Sequence, residues 1–243
     1  MTRRRADVLL VERGFFDSRA KARAAIEAGL VRAAGAPVRR AADLVAEDAP
    51  IDASAPHPWV SRGGVKLAAA LDAFGLDPAG RICLDAGAST GGFTQVLLAR
   101  GAARVYAVDV GRGQLHPEVA GDPRVVALEG TDARALDRAL IPDPIALLAV
   151  DVSFISLRLV LPPLAPLLAP GAGLALLIKP QFEVGRAALG RGGIVRDEGA
   201  REAARDGIAA LVRDLGFTIA GIIPSPIAGG DGNIEFLLGA RLG

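Results

Sequence analysis

Cysteine and histidine are nearly absent from this chain: 243 residues hold one cysteine, Cys83, and two histidines, His57 and His116. A lone cysteine closes no internal disulfide, and two distant histidines assemble no zinc-ligand spacing, so neither a disulfide scaffold nor a metalloenzyme is expected. No sign of charge dominates either, with 28 Lys+Arg against 27 Asp+Glu. What remains, 51% hydrophobic and 23% charged residues, is the composition of a soluble globular protein. A chain of this size hides roughly 70–75% of its extended surface on folding, enough for a core that needs no covalent or metal staple. One or two domains are expected.

Long unbroken hydrophobic runs are also missing. Arg3, Arg4 and Arg5 precede an apolar stretch too short for an export signal. Residues 159–178 are uncharged over the length of a membrane span, but Pro162, Pro163, Pro166, Pro170, Gly171 and Gly173 would break the hydrogen-bond ladder that lipid demands. The segment reads as a short buried helix, a turn and a buried strand. No membrane contact is expected, and the expected location is cytoplasmic.

Charge is unevenly distributed. Residues 1–40 carry ten Lys/Arg and four acids, a net of +6, which leaves −5 for the rest of the +1 chain. Such asymmetry is the footprint of a polyanion-binding module, a solvated helix face being the plainer reading. Within this head, 6–12 reads as a helix stopped by Gly14, and Asp17 or Ser18 caps a second helix running to Ala28. Leu30–Arg32 and Pro37–Arg39 flank a turn at Gly35, a small hairpin. Three prolines within 46–58 mark a connector. Boundaries are set at 1–52 for the head, 53–60 for a linker and 61–243 for the body.

The body alternates apolar runs with helical stretches. Residues 81–84, 104–108, 125–128, 145–150, 174–178, 217–223 and 234–238 read as strands. Crossovers between the first five force parallel pairing, and only the loop 224–233 separates the last two, an antiparallel pair at the sheet edge. The expected fold is a doubly wound, Rossmann-like α/β sheet of seven strands, the last pair antiparallel, with a small α+β head.

The first of these strands ends in Asp85-Ala86-Gly87-Ala88-Ser89-Thr90-Gly91-Gly92-Phe93. Ligands in such sheets bind beyond the strands' carboxyl ends, where glycines let backbone approach closely. An acid before the glycines suits a cation and disfavours a diphosphate. Asp109 ends the second strand, placed to accept ribose hydroxyls. S-adenosylmethionine, with its ammonium, sulfonium and ribose, therefore fits better than NAD. The expected cofactor residues are Asp85, Gly87, Ala88, Ser89, Thr90, Gly92, Phe93, Asp109 and Asp132, the last set either against the adenine amino group or as a helix cap.

Four charges interrupt apolar surroundings at strand ends or loops: Lys66, Asp151, Lys179 and Glu235. Burial of two lysines and two acids is tolerable if they pair. Their chemistry suits deprotonation of a ribose 2′-hydroxyl, with Lys179 as base, Lys66 as the neighbouring cation favouring its neutral form, and Asp151 and Glu235 orienting the amines. A structural salt-bridge cluster is the plainer reading.

Residues 60–67 (Val-Ser-Arg-Gly-Gly-Val-Lys-Leu), 85–94, 150–157 (Val-Asp-Val-Ser-Phe-Ile-Ser-Leu), 178–183 (Ile-Lys-Pro-Gln-Phe-Glu) and 225–227 with 232–237 together resemble the TlyA family, also called hemolysin A-like and related to FtsJ-type RNA methyltransferases. The resemblance runs nearly end to end. It implies an S-adenosylmethionine-dependent rRNA cytidine 2′-O-methyltransferase with an amino-terminal alpha-L RNA-binding domain, and the tetrad Lys66, Asp151, Lys179 and Glu235. The implied partner is rRNA or a ribosomal subunit, and no protein partner is indicated. The positions at which the chain starts and stops favour large-subunit rRNA within that family. Two departures stand out: Ala33-Ala34-Gly35 replaces Val-Asn-Gly, which predicts a looser hairpin turn, and His57-Pro58-Trp59 occupies the linker.

Arg4, Arg19, Lys21 and Arg23 in the head and Arg62 at the crevice mouth are the expected RNA contacts, positioning substrate through phosphates. Residues 190–197 read as a loop able to close over the target, or as a plain connector. Two readings of other classes stay open: a membrane-active cytolysin, which the family's older name suggests, and a non-catalytic RNA-binding ribosome-assembly factor.

Overall fold

The computed structural model describes residues 2–229 and 232–243; Met1 of the amino-terminal stretch, and Gly230 and Asp231 of the expected 224–233 loop, lie outside the described residues. The chain divides into two compact units, Met1–Pro58 and Trp59–Gly243.

The first unit contains β1 (Arg3–Arg5), α1 (Ala6–Glu12), α2 (Arg19–Glu27), β2 (Val31–Ala33), β3 (Ala36–Pro37), β4 (Leu44–Ala46) and β5 (Ile51–Ala53). Ser18 caps α2 by accepting the Lys21 N–H. Leu9, Leu10, Ala25, Ile26, Val31 and Val45 share one core. The expected hairpin is β2–β3, and β5, inside the proline-rich stretch, adds a third antiparallel strand against β2. The turn is not loose. Ala34 (φ +48°) and Gly35 (φ +77°) both take left-handed backbone, the two-residue type I′ geometry, and the Arg32 guanidinium donates to the Gly35 carbonyl across it.

The second unit is a seven-stranded sheet. Its strands are β6 (Ile82–Ala86), β7 (Arg104–Asp109), β8 (Val125–Glu129), β9 (Ile145–Val150), β10 (Leu168–Ile178), β11 (Phe217–Pro224) and β12 (Phe236–Leu242), in the order β11-β12-β10-β9-β6-β7-β8. β6 to β10 run parallel, whereas β12 lies antiparallel between β10 and β11. Helices α3 (Gly63–Phe74), α4 (Gly92–Ala99), α5 (Pro117–Ala120), α6 (Leu157–Leu164), α7 (Pro180–Glu183) and α8 (Glu198–Asp214) connect them. Side chains of a strand alternate between faces, and here both faces are buried. Leu147, Ala149, Ala175 and Leu177 join α3 and α4 in one core. Leu148, Val150, Leu174 and Leu176 join α6 and α8 in the other. Cys83 is buried in the α3/α4 core, where desolvation pushes its thiol up to about 12 and leaves it inert.

Residues 159–178 form most of α6, a short 3-10 turn and β10, and no helix among the described residues is long and apolar enough to cross a membrane. β10 begins at Leu168, earlier than expected, with a register break before Gly173. Lys66 departs from its expected strand-end or loop position: it lies in the first turns of α3, where Lys66, Leu67, Ala70 and Leu71 make one buried helical stripe.

Candidate active site

Parallel strands deliver their carboxyl ends to one edge of the sheet. Asp85 is the penultimate residue of β6, Asp109 ends β7, Asp151 follows β9, Lys179 follows β10 and Glu235 precedes β12. Register joins the last two, since Ile178 pairs with Phe236. Lys66 reaches the same edge from α3. The four charges form two pairs: Lys66 Nζ meets Glu235 Oε2 at 2.5 Å, and Lys179 Nζ meets Asp151 Oδ1 at 2.6 Å. Lys66 and Asp151 line one cavity together. Lys179 also donates a hydrogen bond to Ser153 Oγ at 2.7 Å.

A crevice of about 490 Å³ opens beyond the strands, lined by Gly87, Ser89, Asp109, Gln114, Asp132 and Asp151, with Val110, Val152 and Ile155 as apolar wall. Its size falls among small-molecule pockets of roughly 300–1,000 Å³. A second cavity of about 230 Å³, which shares Gly87, Ser89 and Asp151 with the first, is lined also by Ser61, Arg62, Lys66, Thr90, Gly92 and Phe93. At Gly87 (φ +91°) a Cβ would lie 2.3 Å from the Asp151 carbonyl oxygen, so only glycine lets the two strand ends approach.

Asp109 accepts the Ser89 N–H at 2.8 Å and the Gly111 N–H at 2.7 Å, holding the turn against the crevice. Asp132 caps the following 3-10 turn, as one of its two expected readings has it, pairs with Arg134 and lines the crevice. Asp85 is fully buried; one oxygen accepts from Thr94 Oγ1 at 2.6 Å, while the other, Oδ1, has no hydrogen-bond partner. Burial pushes this carboxyl up to about 7 against the Thr94 bond, and the charges of Asp151 and Asp109 add to the rise. An orphaned acid beneath a crevice that also offers Asp109 and Asp132 is the donor set for a cationic, ribose-bearing ligand. The residues fit S-adenosylmethionine.

Other parts of the site had no role assigned to them from the sequence, or a different one. Glu129 accepts the backbone N–H groups of Gly113, Gln114 and Leu115, which fixes the loop that brings Gln114 to the crevice; those bonds hold its carboxyl below the usual range. Phe154 is 92% exposed at the crevice rim, in left-handed backbone (φ +65°), its ring 5.2 Å from that of Phe182. The expected closing loop is pinned: Asn233, buried, accepts the Val195 N–H and donates to the Gly193 carbonyl.

In the first unit, three of the expected RNA-contacting cations have internal partners. Arg4 pairs with Glu12 and Glu47, Lys21 with Asp17, and Arg19 with Asp7. Asp7 is completely buried and also binds Arg5, so it sets the direction of two guanidiniums; Arg5 first and then Arg19 hold its carboxyl well below the usual range. Arg23 and Arg62 are exposed and have no ion-pair partner among the described residues.

This sheet order, with its inserted antiparallel strand and an acid beneath a glycine-rich turn, defines a methyltransferase fold. The FtsJ-like methyltransferase family matches residues 59–242 and the S4 domain matches residues 4–51, and the chain belongs to that methyltransferase family. It is 46% identical over 241 residues to the 16S/23S rRNA (cytidine-2′-O)-methyltransferase TlyA of Mycobacterium tuberculosis, covering 98% of this chain and 90% of that protein. It is 39% identical to Hemolysin A of Brachyspira hyodysenteriae, covering 96% and 98%. A solved structure from Streptococcus thermophilus, assigned as a hemolysin, superposes with a TM-score of 0.78 at 39% identity, covering all of this chain and 89% of that one.

Proposed function

We propose that the protein transfers a methyl group from S-adenosylmethionine to the ribose 2′-hydroxyl of a cytidine in rRNA. The observation that carries this reading is the pair of lysine–carboxylate contacts, Lys66–Glu235 and Lys179–Asp151, gathered at the ligand edge of the sheet beside the crevice. Lys179 is the general base: its amine takes the 2′-hydroxyl proton, and the O–H bond breaks onto Nζ. Asp151 stabilises the ammonium so formed. Lys66, held by Glu235, supplies a fixed positive charge that stabilises the developing oxyanion. When bound, S-adenosylmethionine supplies an electrophilic methyl on a sulfonium, the new O–CH₃ bond forming as the C–S bond breaks to a neutral thioether. Asp85, Asp109 and Asp132 would hold that donor through its ammonium, ribose and adenine, against a turn built by Gly87, Ala88, Ser89, Thr90, Gly92 and Phe93.

The substrate assignment draws on the tuberculosis relative and on the S4 domain at residues 4–51. Arg4, Arg19, Lys21 and Arg23 of that domain, together with Arg62, contact rRNA phosphates, and Phe154 offers a stacking face to a flipped-out base. Large-subunit rRNA is the first substrate to try. The enzyme acts in the cytoplasm.

The test is incubation with methyl-labelled S-adenosylmethionine and unmodified rRNA or ribosomal subunits, followed by nucleoside mass spectrometry. Formation of 2′-O-methylcytidine, lost in Lys179→Ala, is the expected result. A base-methylated product would overturn the lysine mechanism. No transfer to any RNA would favour the assembly-factor reading instead.

A further inference from the structure

We infer that Ser153 is a positioning residue that aims the Lys179 amine, an inference that rests on the assignment of Lys179 as base. Asp151 Oδ1 lies 2.6 Å from Lys179 Nζ but outside hydrogen-bonding angles, and that buried oxygen has no hydrogen-bond partner. The contact with hydrogen-bond geometry is the one donated to Ser153 Oγ at 2.7 Å. Charge and direction thus come from different residues. A charge contact depends on distance and fixes no angle, whereas a hydrogen bond weakens steeply away from linearity.

Direction matters because lysine carries its amine on a flexible four-carbon stem. The backbone end of that stem is fixed, since Lys179 follows β10 directly and is the N-cap of α7, which Pro180 starts. The amine end is free to swing around Asp151 unless something else takes one of its protons. Ser153 does so from a rigid base: the Asp151 N–H donates to the Ala86 carbonyl at 2.9 Å, and the chain turns back at Phe154. Ser153 also lines the crevice alongside Gly87 and Asp151, so the amine is referenced to the crevice wall. A neutral amine that gives one N–H to Ser153 keeps its lone pair at a set angle from that bond. Proton abstraction from a hydroxyl requires that lone pair to be aligned.

The experiment compares wild type with Ser153→Ala, Ser153→Thr and Lys179→Ala. It measures methyl transfer to rRNA across pH, S-adenosylmethionine binding by calorimetry, and the Lys179 ammonium signal in ¹⁵N-lysine spectra of the free protein. Ser153→Ala is expected to lower kcat by about 10–100-fold, the scale of a small misplacement of a reacting group. KM and donor affinity stay within about twofold of wild type, because uniform binding is untouched. The acidic limb of the rate–pH profile stays where it is, since Asp151 and Lys66 still set the charge. Ser153→Thr, which keeps the oxygen, restores most of kcat. The Lys179 ammonium protons exchange faster in Ser153→Ala than in Ser153→Thr. An unchanged kcat in Ser153→Ala, a loss confined to KM, a displaced limb, or failure of threonine to rescue would each overturn the inference. Inactive Lys179→Ala with fully active Ser153→Ala removes only the role of Ser153; active Lys179→Ala removes the base assignment beneath it.

Discussion

Lys66 and Glu235 stand 169 residues apart in the chain and meet at 2.5 Å, with side chains only 9% and 2% exposed. An ion pair at that depth is a constraint more than a gain: its Coulomb attraction does little beyond offsetting desolvation, but removing one partner strands a charge. Lys66→Met and Glu235→Leu, each alone, should lower unfolding free energy by about 3–5 kcal/mol. The double variant should recover most of that loss while transfer stays absent in all three. Urea denaturation of the set decides it, because equally stable single variants would show that the pair does not constrain the fold.

Asp85 makes stability depend on pH. Unfolded, its carboxyl titrates near about 4; folded, burial holds it up to about 7. Between those values the folded protein keeps a proton that the unfolded chain releases. The contribution to stability is therefore fully present below about pH 4 and is lost as pH rises through about 7. Asp85→Asn removes this dependence, and its melting temperature should gain on wild type between about pH 4 and 7 and level off above that. Binding of a cationic donor favours the charged carboxylate, so S-adenosylmethionine should bind wild type with proton release near neutrality. Calorimetry in buffers of different ionisation heat reads that release directly, and an equal release from Asp85→Asn would place the proton elsewhere.

Phe154 is expected to act on substrate alone. Because the ring is exposed, Phe154→Ala should leave stability within about 0.5 kcal/mol of wild type. A lost base stack is worth about 1–3 kcal/mol, roughly 5–150-fold in KM for rRNA. Donor binding should not move. Kinetics with saturating S-adenosylmethionine test this, and a changed melting curve would instead mark Phe154 as structural.

Ala34 holds left-handed backbone at φ +48° at an exposed turn position where asparagine is the favoured residue. An alanine there costs about 1–2 kcal/mol relative to ordinary backbone. Ala34→Asn should therefore raise the stability of the S4 unit by about 0.5–1 kcal/mol, a gain on the scale of other single-turn repairs. Hydrogen exchange at Val31 and Val38 amides, which flank the turn, would report it locally.

The sheet was legible because each of its strands is an apolar run bounded by glycine, proline or charge. Asp151, Lys179 and Glu235 were legible for the converse reason, as charges beside such runs. Lys66 was legible as a misplaced charge but not as a helical one, since the small residues around it carry only a weak period. β1, β4 and β5 escaped notice because three residues are too few to show alternation. Ser153 and Phe154 were hidden for a different reason: what they do follows from a left-handed turn at Phe154 and a lysine 26 residues on. The 150–157 motif contains both residues without showing what either touches. Nothing in the sequence marks Asp7 or Glu129, and only tertiary structure shows them setting guanidiniums and backbone amides in place.

The insertion of β12 between β10 and β11 has a temporal side. The interior strand is the last of the seven to be synthesised, so while it is still inside the exit tunnel β10 and β11 present unpaired edges and Lys66 has no Glu235. Until that strand is made, neither the continuous seven-stranded sheet nor the Lys66–Glu235 pair at its ligand edge can form.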